Sequence, residues 1–213
     1  MRRVTPVVAA AAFFSVANVS AQDLGGVHEP GIFDGPSYSP YAGRNFPDKP
    51  LWGDSHLHTT LSFDAGAFGN RLGLDEAYRF ARGDEVVTST GIRARLSRPL
   101  DWLVIADHSD GMGFIIDVLA ASPLVTQYEQ GARWSKGFRA GGQEAVEATL
   151  DLSKTFSQGE MDKEMFANYS PGSRRYGTIW GQVIDNAEQF NVPGEFTTFI
   201  GFEWTSLVKG NNM

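Results

Sequence analysis

The chain contains no cysteine. Disulfides, zinc–thiolate sites and a cysteine nucleophile are therefore excluded, and any bound metal must be held by nitrogen and oxygen. Cationic residues are the minority. Lys and Arg number 18 against 25 Asp and Glu, for a formal net charge of −7. Such a chain has no general attraction for nucleic acid, and none is expected as a partner. Histidine is scarce as well, with four residues in 213. No apolar run is long enough for a membrane-spanning helix. The longest, Val7 to Ala17, follows Arg2 and Arg3 and leads into Val19-Ser20-Ala21. A charged start, a short apolar run and a small-x-small site are the three parts of a secretory signal. Residues 1–21 are therefore expected to be a signal peptide cleaved after Ala21. The mature chain would be periplasmic or secreted, with no membrane association after cleavage.

The remaining sequence is rich enough in apolar residues, 42% overall, for one substantial core. Residues 22–50 carry Pro30, Gly31, Gly35, Pro36, Pro40, Pro47 and Pro50 and read as an extended lead-in. Residues 51–213 read as the domain. A short strand is expected at Leu51–His58. Leu74, Ala77, Tyr78 and Ala81 recur at helical spacing, with Asp75 and Glu76 in the first turn and Gly83 beyond the end, predicting a helix over 74–82. Residues 85–96 suggest a hairpin turning near Thr90-Gly91. Leu100–Ala106 is almost continuously apolar, the pattern of a strand buried on both faces. Helical patches follow near 113–121 and 143–156. Trp180, Val183, Ile184, Ala187 and Phe190 then form a helical stripe with Ser173 as a candidate N-cap. Phe196–Phe202 reads as a second buried strand. Strands alternating with helices predict an α/β fold with parallel pairing and a partly helical insert.

In such folds the ligand site lies at the carboxyl ends of the strands. Three of the four histidines fall there. His56 and His58 are two apart in a strand, so both project from one face and can reach one cation. His108 closes the second strand, with Asp107 beside it as a candidate to orient an imidazole. Glu203 ends the third strand, where a carboxylate following apolar residues calls for a charged partner or a metal. Asp64 lies six residues past His58 and can either fold back onto a metal or serve as a turn residue. Asp110 suits a helix cap. Asp54, Trp204 and Thr205 suit supporting roles, and Trp52, Trp102, Trp134 and Trp180 suit the core. His28 lies in the lead-in, with no role assigned.

His56-x-His58-Thr59, then Asp64, then Asp107-His108, then Gly201-Phe202-Glu203 resembles the polymerase and histidinol phosphatase (PHP) superfamily. Four segments narrow the likeness: Trp52–Thr59, Asp75–Ala81, Arg98–Asp101 and Thr197–Thr205. Together they resemble its large secreted branch, catalogued as domain of unknown function 3604. The resemblance covers residues 50 to 213 and implies the N-terminal part of a distorted seven-stranded (β/α)7 PHP-type barrel. It also implies two or three divalent metal ions (Zn, Mn or Fe) and hydrolysis of a small-molecule anionic ester, mainly a phosphate ester. His56 and His58 would bind the first ion, Glu203 would bridge to a second, and Asp64 with His108 would serve a third. Glu203, His108 and Asp107 are the residues expected to carry catalysis. The superfamily completes its site with later histidines and an Asp-x-His motif that this chain does not contain. It is therefore expected to be an N-terminal fragment, inactive alone. Two rivals stay open: an amidohydrolase-type barrel, which also carries His-x-His after its first strand, and a non-catalytic periplasmic metal-binding protein.

Overall fold

The computed structural model describes residues 50–205. The expected signal peptide and nearly all of the lead-in lie outside the described residues. The described chain is α/β. Strand β1 (Gly53–Leu57) is followed by a short helix α1 (Phe63–Ala67) and helix α2 (Leu74–Ala81). A small hairpin, β2 (Val86–Val87) and β3 (Arg93–Ala94), precedes strand β4 (Trp102–Ile105). A helical stretch comes next: α3 (Phe114–Leu119), α4 (Pro123–Thr126), α5 (Glu129–Ala140), α6 (Gly142–Ser157) and α7 (Lys163–Ala167). Helix α8 (Arg174–Phe190) leads into strand β5 (Thr197–Ile200).

The three longer strands form one parallel sheet in the order β1-β4-β5. Trp102 pairs with Gly53 on one side and with Thr197 on the other. Parallel strands need long crossovers, and the helices supply them. Helix α2 crosses from β1 to β4, and α8 delivers the chain to β5. Local chemistry marks both helix starts. Glu76 Oε2 accepts from the Gly73 N–H at 2.9 Å, and Ser173 Oγ accepts from the Tyr176 N–H at 3.2 Å. The hairpin turns as expected, with Gly91 at φ +85°, a left-handed conformation that favours glycine.

The core lies on one face of the sheet. Leu103 and Ile105 of β4 pack with Tyr78 and Ala81 of α2 and with Ile179, Val183, Ala187 and Phe190 of α8. The buried stripe of α8 thus runs through Ile179 rather than Trp180. A second core fills the helical stretch around Phe114, Trp134, Leu152 and Met165. Asp117, buried on α3, joins that stretch to α8: it accepts two hydrogen bonds from Arg175, at 2.8 and 2.9 Å, and one from Tyr169 Oη at 2.7 Å.

Two expectations change here. The strands at 102–105 and 197–200 were expected to be buried, yet β4 is covered on one face only and β5 has no buried residue. Trp102 and Val104 are only partly buried, and Phe199 and Ile200 are exposed. On the uncovered face Trp102 and Phe199 meet edge to face, with ring centroids 6.1 Å apart. Among the described residues β5 lies at the edge of the sheet and no barrel closes. Of the tryptophans assigned to the core only Trp134 is fully buried, while Trp52 is exposed and Trp102 and Trp180 are intermediate.

Candidate metal centre

Strand alternation sends Leu57 toward the helix-covered core and its neighbours His56 and His58 to the opposite side. The two imidazoles stand with centroids 5.0 Å apart. Beyond Ile105 and Ile200, β4 and β5 keep contact in register. His108 bridges Glu203 in parallel fashion, the Glu203 N–H donates to Asp107 O at 3.0 Å, and the Ser109 N–H donates to Glu203 O at 2.8 Å. The ends of β1 and β4 are pinned by Asp107, whose buried carboxylate accepts from both the N–H and the hydroxyl of Thr59. Three strand ends therefore present their side chains at one level.

His56, His58, Asp64, His108 and Glu203 all converge there. Glu203 Oε2 lies 2.7 Å from His56 Nε2 and 2.9 Å from His58 Nε2. Asp64 Oδ1 lies 3.0 Å from His58 Nδ1, and its Oδ2 lies 3.6 Å from His108 Nε2. Two groups have ligand atoms close enough to share an ion: His56, His58 and Glu203, and His58, Asp64 and His108. His58 belongs to both. Its Nε2 is buried, and although Glu203 is near, it makes no hydrogen bond. A buried imidazole nitrogen in that state suits a cation, and the nitrogen and oxygen donors suit Zn, Mn or Fe.

The cluster also perturbs its own ionisation. Burial alone would raise the Asp64 carboxyl. The neighbouring His108, with hydrogen bonds from Ser62, His58 and the Ala65 N–H, outweighs burial and holds the carboxyl well below the usual carboxylate range. Glu203 is lowered in the same way: burial opposes the shift, but His56, His108 and His58 prevail. Asp64 near its ring raises His108, against the effect of burial, with Glu203 and Asp110 adding to the rise. Burial pushes the Asp107 carboxyl up despite its two bonds from Thr59.

Some supporting roles differ from expectation. Asp107 was expected to orient an imidazole, but Thr59 takes both of its oxygens. Asp110 caps no helix, since α3 starts from Gly113; its Oδ2 accepts instead from the Thr205 N–H at 2.9 Å. Sequence reasoning passed over Ser62, which is fully buried. Its hydroxyl donates to Asp64 Oδ1 at 2.6 Å, lies 3.1 Å from His58 Nδ1, and accepts from the His108 N–H at 3.1 Å. A serine just before Asp64 at a helix start was the one available signal. Asp54 does support the site, accepting from the His56 N–H at 2.8 Å.

No curated protein and no solved structure matches the chain. A family model does, described as "Protein of unknown function (DUF3604)", over residues 45–213. That span includes every strand and helix of the described structure and all five converging side chains, so the chain belongs to the DUF3604 family.

Proposed function

We propose that the chain carries the strand-end centre of a metal-dependent hydrolase of the PHP type, acting on a phosphate ester. The observation that carries this reading is the convergence of His56, His58, Asp64, His108 and Glu203 on one mouth of a parallel sheet. Two or three divalent ions would be held, with His56, His58 and Glu203 around one and Asp64 with His108 around another. When bound, such ions supply Lewis acidity and a water acidic enough to react near neutral pH. The protein's own part is positional. The Asp107–Thr59 and His108–Glu203 links hold the ligands in place before substrate arrives, and bound ions would offset the charge of the two carboxylates.

The mouth is also accessible. The His56 side chain is 65% exposed and that of Asp64 42%. A catalytic metal site needs room for a water or substrate beside the ion, and exposed ligands are compatible with that. An anionic small-molecule ester is the substrate class that would meet the ions. The charged start and the Val19-Ser20-Ala21 segment support export, and no helix among the described residues is long and apolar enough to cross a membrane.

The test is metal analysis of the purified full-length protein together with assays on aryl phosphates and aryl sulfates. Bound Zn, Mn or Fe and hydrolysis lost to a chelator and restored by one of these ions are the expected results, with phosphates preferred. Absence of bound metal together with no hydrolysis under any of the three ions contradicts the proposal.

A further inference from the structure

We infer that Thr205 is a positioning residue that sets which nitrogen of His108 is free to bind an ion. The inference rests on the metal reading above. The Thr205 hydroxyl lies 2.6 Å from His108 Nδ1. Thr205 is buried at 6% exposure, and its N–H donates to Asp110 Oδ2 at 2.9 Å. Its place is therefore held from two sides.

A neutral imidazole carries one proton, and the nitrogen that keeps it cannot be a ligand. On His108 it is Nε2 that looks toward Asp64, at 3.6 Å, within the second candidate group. Binding through Nε2 requires the proton on Nδ1, where Thr205 Oγ1 can accept it. His58 has an equivalent arrangement, with Asp64 and Ser62 at its Nδ1. For His108 the competing acceptor is Asp64 Oδ2, which at 3.6 Å from Nε2 lies farther from the ring than the Thr205 hydroxyl does at 2.6 Å from Nδ1. A proton kept on Nε2 would block the nitrogen that faces the second candidate group. Glu203 Oε1, 3.8 Å from Nδ1, stands at the same nitrogen as Thr205 and leaves that choice unchanged. Residues 203–205 therefore act twice on the site: Glu203 enters it, and Thr205, two residues on, sets the histidine paired with Glu203 across the ladder.

Thr205→Val removes the hydroxyl and keeps the shape, while Thr205→Ser keeps the hydroxyl. Zn²⁺ and Mn²⁺ would each be titrated calorimetrically into metal-free wild type and both variants. The expected result is a 10- to 100-fold weaker affinity at one class of site in Thr205→Val, the usual range for losing a partner of a ligating histidine. Affinity within about threefold of wild type is expected for Thr205→Ser, since its hydroxyl can make the same bond. Imidazole nitrogen shifts by NMR, at a pH where the ring is neutral, give a readout that needs no variant. Wild-type His108 is expected with its proton on Nδ1. A wild-type His108 protonated on Nε2 overturns the inference even if Thr205→Val does not fold. Wild-type affinity in Thr205→Val also overturns it and leaves the metal reading standing. Wild-type protein that takes up neither ion overturns the inference, and the metal reading falls with it when Fe²⁺ is not taken up either.

Discussion

In the full-length protein, Glu203→Gln is expected to cut turnover by ~10²-fold or more under saturating metal while leaving the fold intact. Glutamine keeps the shape of the side chain and removes its charge. That charge sits 2.7 Å from His56 Nε2 and 2.9 Å from His58 Nε2, where an ion bound to those nitrogens would lie. The fold should not suffer, because Glu203 secures the β5 extension through its backbone, with bonds to Asp107 O and from the Ser109 N–H that the substitution leaves alone. Circular dichroism and steady-state kinetics check both halves. An unchanged rate would show that Glu203 does not contact an ion.

The second large effect is a contrast between two histidines of one strand. His58→Ala is expected to remove bound metal almost entirely, whereas His56→Ala should weaken only one ion, by 10- to 100-fold. His58 belongs to both candidate groups, and His56 to one. The difference has a physical basis. A neutral imidazole ligates through one nitrogen and hydrogen-bonds through the other. In His58, Nε2 faces Glu203 and Nδ1 faces Asp64 and Ser62. Losing it deletes a ligand of one group and the partner that orients the carboxylate of the other. His56 is largely exposed; it lies beside the His58 ring and hydrogen-bonds with Glu203. Metal per chain after exhaustive dialysis is the measurement. Equal losses in the two variants would contradict the shared role of His58.

The strand ends were readable because few residue types can stand where these do. Histidines two apart, or a glutamate closing an apolar run, leave limited choices once strand alternation is known. The parallel sheet, the α2 and α8 helices and the hairpin followed from period and turn chemistry. Burial was harder to read. Trp102-Leu103-Val104-Ile105 is apolar throughout, but apolar composition does not say how many faces are covered, and here only Leu103 and Ile105 are buried. Helix α5 has no counterpart among the expected helical patches, and it carries Gly131 and Gly137, residues that weaken a helical pattern. Both are there for close approach: a side chain at Gly131 would overlap the Val125 carbonyl, and one at Gly137 would come within 2.7 Å of Ala148 Cβ. Helix α1 hides for the same reason, with Gly66 pressed against Ile115 and the Thr60 carbonyl. Asp107 was assigned an imidazole partner because His108 is its neighbour in sequence. The hydroxyl of Thr59, 48 residues away, takes that carboxylate instead, and no local pattern announces such a contact.

Anomalous diffraction from crystals soaked in Zn²⁺ or Mn²⁺ tests the metal centre most directly. The predicted result is a peak at the strand ends within about 2.0–2.3 Å of His56 Nε2, His58 Nε2 and a Glu203 carboxylate oxygen. A second peak is expected beside Asp64 and His108. Soaked crystals with no anomalous density at this mouth, or with ions bound only elsewhere on the surface, would contradict it.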